Sequence, residues 1–372
     1  MRVVLTRREA LDAPDGVSIF IVSLAQALAE LGHEVKIVAG SMRSSAEFRR
    51  LLAPRVEVPI LALSRAPLTG FAAAAAWLRA KSAIDRFGPD LVIHSEAVPL
   101  PLRGTIVHVV HDLEPRRGRL APLWRTVRRF SARRSDHVVA TTTELRDALV
   151  RDLGMPLDQI AVIPKCIDRS VYVNTELARR QRAILHAGTL AYKDPGATVR
   201  AFAALDDSSV RLYIAGPITQ PLRASVDSLQ PRLRRCVVLL GNADGQTVRQ
   251  LHGEARVAAF PTRYTIPVAS ATVMEAVAAG TPIVGSMHIS RDLLADGVNG
   301  LAVATHPAAM AAALRVVLND DAVWSRLSAG AVRMAERFDA FAIARRYVSL
   351  VPWERLADRA LLDSRPIPGA TP

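Results

Sequence analysis

Five short segments of the chain place a glycine, a cation, an imidazole or a carboxylate directly behind an apolar run. They are Asp15–Ser18, His108–Asp112, His186–Asp194, Tyr213–Pro217 and Val273–Gly280. These residue types suit a ligand that is both anionic and hydroxylated. Gly16 allows close backbone approach, and the helix start behind it would offer free N–H groups and a positive dipole end to an anion. Gly188 and Gly216 repeat that logic at two later strand ends. Lys193, after the Gly188 turn, is the mobile point charge that a diphosphate favours. His111 and Asp112 end a buried strand, and His111 can donate to a hydroxyl or a phosphate, or stabilise charge. Glu275 lies among the core-like Val273, Met274, Val277 and Ala278. A buried Glu must be paired or hydrogen-bonded, and the two hydroxyls of a ribose would do that. Each residue taken alone also has a plain structural reading: an empty turn, a core histidine, a solvated lysine, a capped carboxylate.

The elements that must position these residues alternate between strand and helix. Strands are predicted within 2–6, 33–40, 56–61, 90–96, 105–112 and 137–142, then within 182–188, 210–216, 237–241, 256–261 and 282–286. Runs of this length, rich in Val and Ile and separated by helices, indicate parallel sheets covered on both faces. Residues 171–183 are the most polar stretch between the two series and read as the linker. The expected architecture is α/β, with two doubly wound domains facing a cleft, because such sheets bind ligands beyond the carboxyl ends of their strands.

Composition bounds the function. The 372 residues suffice for two domains of ordinary size, and half of them are hydrophobic, as a packed globular protein requires. Apolar runs break well short of the roughly 18–20 residues of a membrane helix, and the first one is too short for a signal-peptide core. Cys166 and Cys236 stand far apart with no metal-ligand spacing around them. A reduced, cytoplasmic chain without a metal site is therefore expected. The formal net charge of +13 raises nucleic acid as a partner, but no recognised nucleic-acid motif accompanies it, and none is expected. Basic residues concentrate in 114–134, where Leu120, Leu123, Trp124, Val127 and Phe130 recur at helical spacing. That pattern predicts a solvated amphipathic helix, or one in peripheral contact with an anionic membrane or acceptor.

In the family's order, several segments resemble the GT-B glycosyltransferases of family 4, the retaining nucleotide-sugar enzymes. "GVSIFIVSLAQALAELGHEVKIVAG" (16–40) is similar to the first glycine loop, helix and strand, and "VVHDL" (109–113) to the His-bearing strand end. Residues 137–168 resemble the inter-domain approach. "AGTLAYKDPGATVRAF" (187–202) resembles the phosphate segment, and 282–303 the donor loop. "FDAFAIARRYVSLV" (338–351) resembles the helix that returns to the first domain.

The resemblance covers nearly the whole chain. It implies a GT-B fold with an acceptor-binding Rossmann-like domain at 1–175, a nucleotide-sugar domain at 176–340, and a returning helix and tail at 341–372. His111, with Asp112 beside it, would form the catalytic end and touch the transferred sugar. Gly16, Gly188, Lys193, Gly216 and Glu275 would bind the donor, with Lys193 on its diphosphate and Glu275 on its ribose. No metal or other cofactor is implied beyond the donor itself. The acceptor would be a small molecule or lipid-linked.

Departures from the family pattern fall on the donor side. The acidic residue normally eight positions before Glu275 is Pro267, and the phosphate arginine is replaced by Thr189. The usual Asn-Gly of the linker approach is Lys165-Cys166, and a Gly-Gly pair aligns with His288 and Ile289. Arg263, with Lys165 as the other candidate, is expected to supply the missing positive charge. Three readings follow: an active transferase with an unusual donor such as a deoxy-sugar, amino-sugar or pentose; a GT-B nucleotide-sugar epimerase; or a degenerate subunit that binds a partner enzyme.

Overall fold

The computed structural model describes residues 1–12, 15–52, 54–67, 70–95, 102–113, 126, 129–352 and 354. A seven-stranded sheet contains β1 (Arg2–Ala10), β2 (Glu34–Ser41), β3 (Ile60–Ala62), β4 (Leu91–His94), β5 (Thr105–Val110), β6 (His137–Ala140) and β7 (Ile160–Val162), in the order β3-β2-β1-β4-β5-β6-β7. A six-stranded sheet contains β8 (Gln181–Ala187), β9 (Arg211–Ala215), β10 (Val237–Gly241), β11 (Ala255–Phe260), β12 (Ile283–Ser286) and β13 (Gly300–Val303), in the order β10-β9-β8-β11-β12-β13. The pairings are parallel: Val3 lies opposite Leu91, His94 opposite His108, and Ala187 opposite Ala215. Strand order reverses beside β1 in one sheet and beside β8 in the other, and crevices open at such reversals.

Five helices position the cleft: α1 (Gly16–Glu30), α2 (Pro195–Leu205), α3 (Gly245–Glu254), α4 (Ala271–Ala278) and α5 (Ala340–Val348). Helix α1 starts at Asp15, whose carboxylate accepts from the Val17 and Ser18 amides at 2.9 and 3.0 Å. Helix α2 starts at Asp194, which accepts from the Ala197 amide at 3.0 Å and is followed by a proline in the first turn. Helix α5 packs Ile343, Ala344 and Tyr347 against Phe20, Ile21 and Leu24 of α1, so the chain ends its described course in the core of the first sheet.

Three details differ from the sequence reading. Strand β1 runs on to Ala10 because Ala10 pairs with Ser41 beyond an irregularity that follows the Arg7–Ala39 pair. Gly40 makes room for that extension, since a Cβ there would lie 1.8 Å from the Arg8 carbonyl oxygen. The short strands β7 and β13 lacked the length that marks a strand in sequence. The polar stretch 171–183 ends at Arg180, and its last three residues open β8. Arg180 is buried and donates to the Thr175, Ala255 and Ala279 carbonyls at 2.7–2.9 Å, which fixes the connection. Of the basic helix expected at 114–134, residues 114–125, 127 and 128 lie outside the described residues. Among the described residues no helix is long and apolar enough to cross a membrane.

Candidate active site

The carboxyl ends of the two sheets face a cleft of about 810 Å³. Gly16, His111, Asp112, Gly188, Lys193, Gly216 and Glu275, all singled out in the sequence, line it. Arg263 does not.

Glu275 sits on α4 and is only 7% exposed. The Tyr172 hydroxyl donates to its Oε1 at 3.0 Å, and His252 Nε2 lies 3.7 Å from its Oε2. Burial pushes the carboxyl up, but nearby His252, the hydrogen bond from Tyr172 and the Lys193 charge outweigh it, so the group is held below its ordinary value. A charged carboxylate is thus maintained at the cleft wall. Tyr172 and His252 went unnoticed in the sequence: one lies in a polar connection, the other in a helix, and neither spacing points at Glu275.

The glycine turns shape the floor beside Lys193. Gly188 has φ +89°, and a Cβ there would lie 2.4 Å from Lys193 Nζ. Gly216 has φ +132°, and its Cβ would meet Thr189 Oγ1 at 2.8 Å. Both positions therefore exclude side chains on two counts. Thr189 donates to the Pro217 carbonyl at 2.7 Å, joining the two turns without adding charge. Among the described residues Lys193 Nζ reaches only Thr272 Oγ1 at 3.2 Å and the Ala187 carbonyl at 3.5 Å. Burial lowers its pKa to about 8, with Glu275 opposing and Lys165 adding to the shift.

Gly16 serves a different end from the one expected. Its helix does not present the Val17 and Ser18 amides to a ligand, because Asp15 already binds both. What the glycine permits is contact between the two halves: a Cβ there would stand 3.0 Å from the Ala271 Cβ at the start of α4. Asp15 is in turn gripped by Arg7, which donates through Nη1 and Nη2 at 2.9 and 2.6 Å.

His111 is 6% exposed, with both ring nitrogens lacking a hydrogen-bond partner among the described residues and its ring edge-on to Phe20 at 5.3 Å. Burial, then Lys165, Arg7 and His108, hold its pKa well below the ordinary value. The imidazole is therefore neutral near pH 7, with one donor and one acceptor open to a ligand. Across the cleft, Tyr192 and Tyr264 pack at 4.8 Å and 36°. Burial raises the Tyr264 phenol, and Tyr192 and the Asp112 charge add to the shift.

Two donor-side expectations change. Arg263 ion-pairs with Asp194 and its side chain is 60% exposed. The aspartate that caps α2 draws the guanidinium to the outside of the loop, away from the cleft. Pro267 is also absent from the lining, and its carbonyl accepts from Thr142 Oγ1 at 3.0 Å, a bond between the two halves. Lys165, the other candidate cation, does line the cleft and is 7% exposed. Among the described residues no group of three or more His, Cys, Asp and Glu side chains could hold a metal ion.

Comparison with known proteins places the chain in a family. The profile of Glycosyltransferase Family 4 matches residues 14–171, and that of Glycosyl transferases group 1 matches residues 181–320. The chain belongs to the family 4 glycosyltransferases and has the GT-B fold. HepE of Anabaena, solved in complex with UDP and glucose, superposes with a TM-score of 0.72 at 18% identity, covering 94% of this chain and 98% of that one. Sucrose-phosphate synthase of Thermosynechococcus elongatus superposes with a TM-score of 0.74 at 18% identity, covering 98% and 100%. The D-inositol 3-phosphate glycosyltransferase of Xylanimonas cellulosilytica is 29% identical over 227 residues, covering 55% of this chain and 54% of that relative. The match thus spans about half the length of that curated relative.

Proposed function

We propose that the protein is a retaining glycosyltransferase that moves a sugar from a nucleoside-diphosphate sugar to an acceptor hydroxyl. One observation carries the reading: the order of groups along the cleft. Glu275 and Lys165 both bear on Lys193, Lys165 bears on His111, and Asp112 bears on Lys165 and Tyr264, all of them in the cleft lining. That succession of carboxylate, cations, imidazole and aromatic wall matches ribose, diphosphate and sugar in the order a nucleotide sugar presents them. Complexes of HepE with UDP and UDP-glucose, and the transferase activity in the curated relative's name, support a donor of this class.

In this mechanism the glycosidic bond from C1 to the diphosphate oxygen breaks, and the acceptor oxygen bonds to C1 on the same face. The acceptor proton passes to the departing diphosphate. No protein nucleophile is required. Lys193 offsets the charge that develops on the leaving group, a role metal ions fill elsewhere. Neutral His111 hydrogen-bonds the sugar and does not act as an acid. The Tyr192–Tyr264 wall, with Val268 and Ala269 beside it in the cleft lining, suits a sugar with few hydroxyls on its outer edge. An acceptor in solution or on a lipid would enter from the first sheet, at the cytoplasmic face of a membrane in the second case.

A thermal-shift series with UDP, GDP, dTDP, ADP and their sugars tests the reading. Ligand at about 100 times its Kd should stabilise the chain by about 2.7 kcal/mol. No shift with any of them overturns the proposal. Saturable binding without sugar hydrolysis or transfer favours the non-catalytic alternative.

A further inference from the structure

We propose that Lys165 is a second ligand of the donor diphosphate, reaching it from the first half of the molecule, so that the bound diphosphate ties the two sheets together across the cleft. The inference rests on the nucleotide-sugar reading above and assigns a residue to it.

Lys165 follows β7 in a segment whose backbone has little freedom. Ile163, Cys166 and Ile167 are each at most 2% exposed, and the Ile167 amide donates to the Phe338 carbonyl at 3.0 Å. With its neighbours packed into the core, the lysine alone turns to the cleft, where its Nζ lies 3.8 Å from the Cβ position of Gly16. The groups that bear on it are Asp112, Asp15 and Arg7, and it bears in turn on Lys193 and His111. Neither carboxylate reaches it: among the described residues Lys165 makes no ion pair and no hydrogen bond. Asp15 is already held by Arg7 at 2.6 Å.

A buried ammonium without a partner is costly, and a second one facing the same cleft compounds the cost. Lys193 is that second one, and its contacts are a hydroxyl and a carbonyl. The arrangement is unfavourable when empty and favourable around a ligand carrying two or more negative charges. Of the other cations in the lining, Arg7 is engaged by Asp15 and Arg8 by Glu9, while Arg249 bears on Tyr172, at the Glu275 end of the cleft. Because Lys165 and Lys193 come from opposite sheets, a diphosphate between them links the halves as well as being held.

The test compares UDP with uridine on the full chain, wild type beside Lys165→Met and Lys165→Arg. Lys165→Met should weaken UDP by about tenfold to a hundredfold and leave uridine within about twofold, and Lys165→Arg should retain most UDP affinity. UDP affinity unchanged in Lys165→Met overturns the inference, as does an equal loss of UDP and uridine, which marks a general disruption. Small-angle scattering supplies the readout for linkage. UDP should contract the wild type and leave Lys165→Met uncontracted, and equal contraction in both overturns the cross-cleft role. A wild type that binds neither UDP nor uridine removes the nucleotide-sugar reading itself, and this inference with it. The empty Lys165→Met protein should melt no lower than wild type, because it loses a buried charge and no bond.

Discussion

Glu275→Gln is the most informative single change. The amide keeps an oxygen for the Tyr172 hydroxyl, now 3.0 Å from Oε1, so the local hydrogen bond survives. What disappears is the charge, and with it the attraction of Lys193 and the charge-assisted pairing to ligand hydroxyls. Exchanging a charged acceptor for a neutral one costs about 1–2 kcal/mol, so uridine affinity should fall by roughly tenfold. Stability has its own sign. The folded carboxyl titrates below its ordinary value of 4.5, so the charge stabilises the fold above that pH, and this contribution is lost as pH falls through the folded value. The difference in melting temperature between wild type and variant should therefore shrink from pH 7 towards acid. Uridine titrations at pH 7, beside melts at neutral and acid pH, read both effects. Unchanged uridine affinity with a lower melting temperature at pH 7 would refute the ribose role and leave Glu275 as a structural partner of Tyr172 and His252.

Three further outcomes are expected. Lys193→Ala should cut sugar transfer or hydrolysis at least about tenfold while stability moves within about 1 kcal/mol, as steady-state kinetics beside a melting curve will show. Lys165 and Lys193 both titrate near pH 8 when the cleft is empty, below the ordinary 10.5; UDP affinity should therefore fall from pH 8 upward, while the stability of the empty protein rises over the same interval as the buried charges are discharged. Arg263→Ala should leave UDP affinity unchanged and cost about 0–1 kcal/mol of stability, the scale of an exposed ion pair, and a loss of UDP binding would return Arg263 to the site.

The fold was legible where apolar runs are long and end in glycine. Val3–Leu5, Ile184–Leu185 and Val257–Phe260 are buried through, and Gly188 and Gly216 fall at strand ends where a side chain would collide. The edge strands β7 and β13 were not, because three or four residues carry too little period to separate strand from loop. Glu275 stood out because a carboxylate among core residues demands a partner, but the partner residues could not be read. Tyr172 lies 103 residues from Glu275 in the chain, and that bond exists only once both halves are folded. Side-chain direction was equally hidden: Arg263 and Lys165 carry the same charge in sequence, and only the fold turns one outward and the other into the cleft.

The fate of the arginines shows how the site comes to be cationic without being blocked. In each half an aspartate caps a helix that starts beside the cleft: Asp15, in its lining, on α1, and Asp194, next to Lys193 but outside the lining, on α2. Each cap places a negative charge near the very groups that would meet an anion, which would oppose diphosphate binding. Each is countered by an arginine, Arg7 for Asp15 and Arg263 for Asp194. Planar guanidinium suits that task, and Arg7 meets Asp15 through two parallel bonds. The caps and arginines thereby cancel in pairs and serve the helices. The lysines are left over, one from each sheet, and among the described residues no carboxylate lies in ion-pair reach of either ammonium. Removing Arg7 would consequently act on the ligand through Asp15, which it uncovers in the cleft lining, and removing Arg263 uncovers only Asp194 outside that lining, whereas removing a lysine acts on the ligand directly.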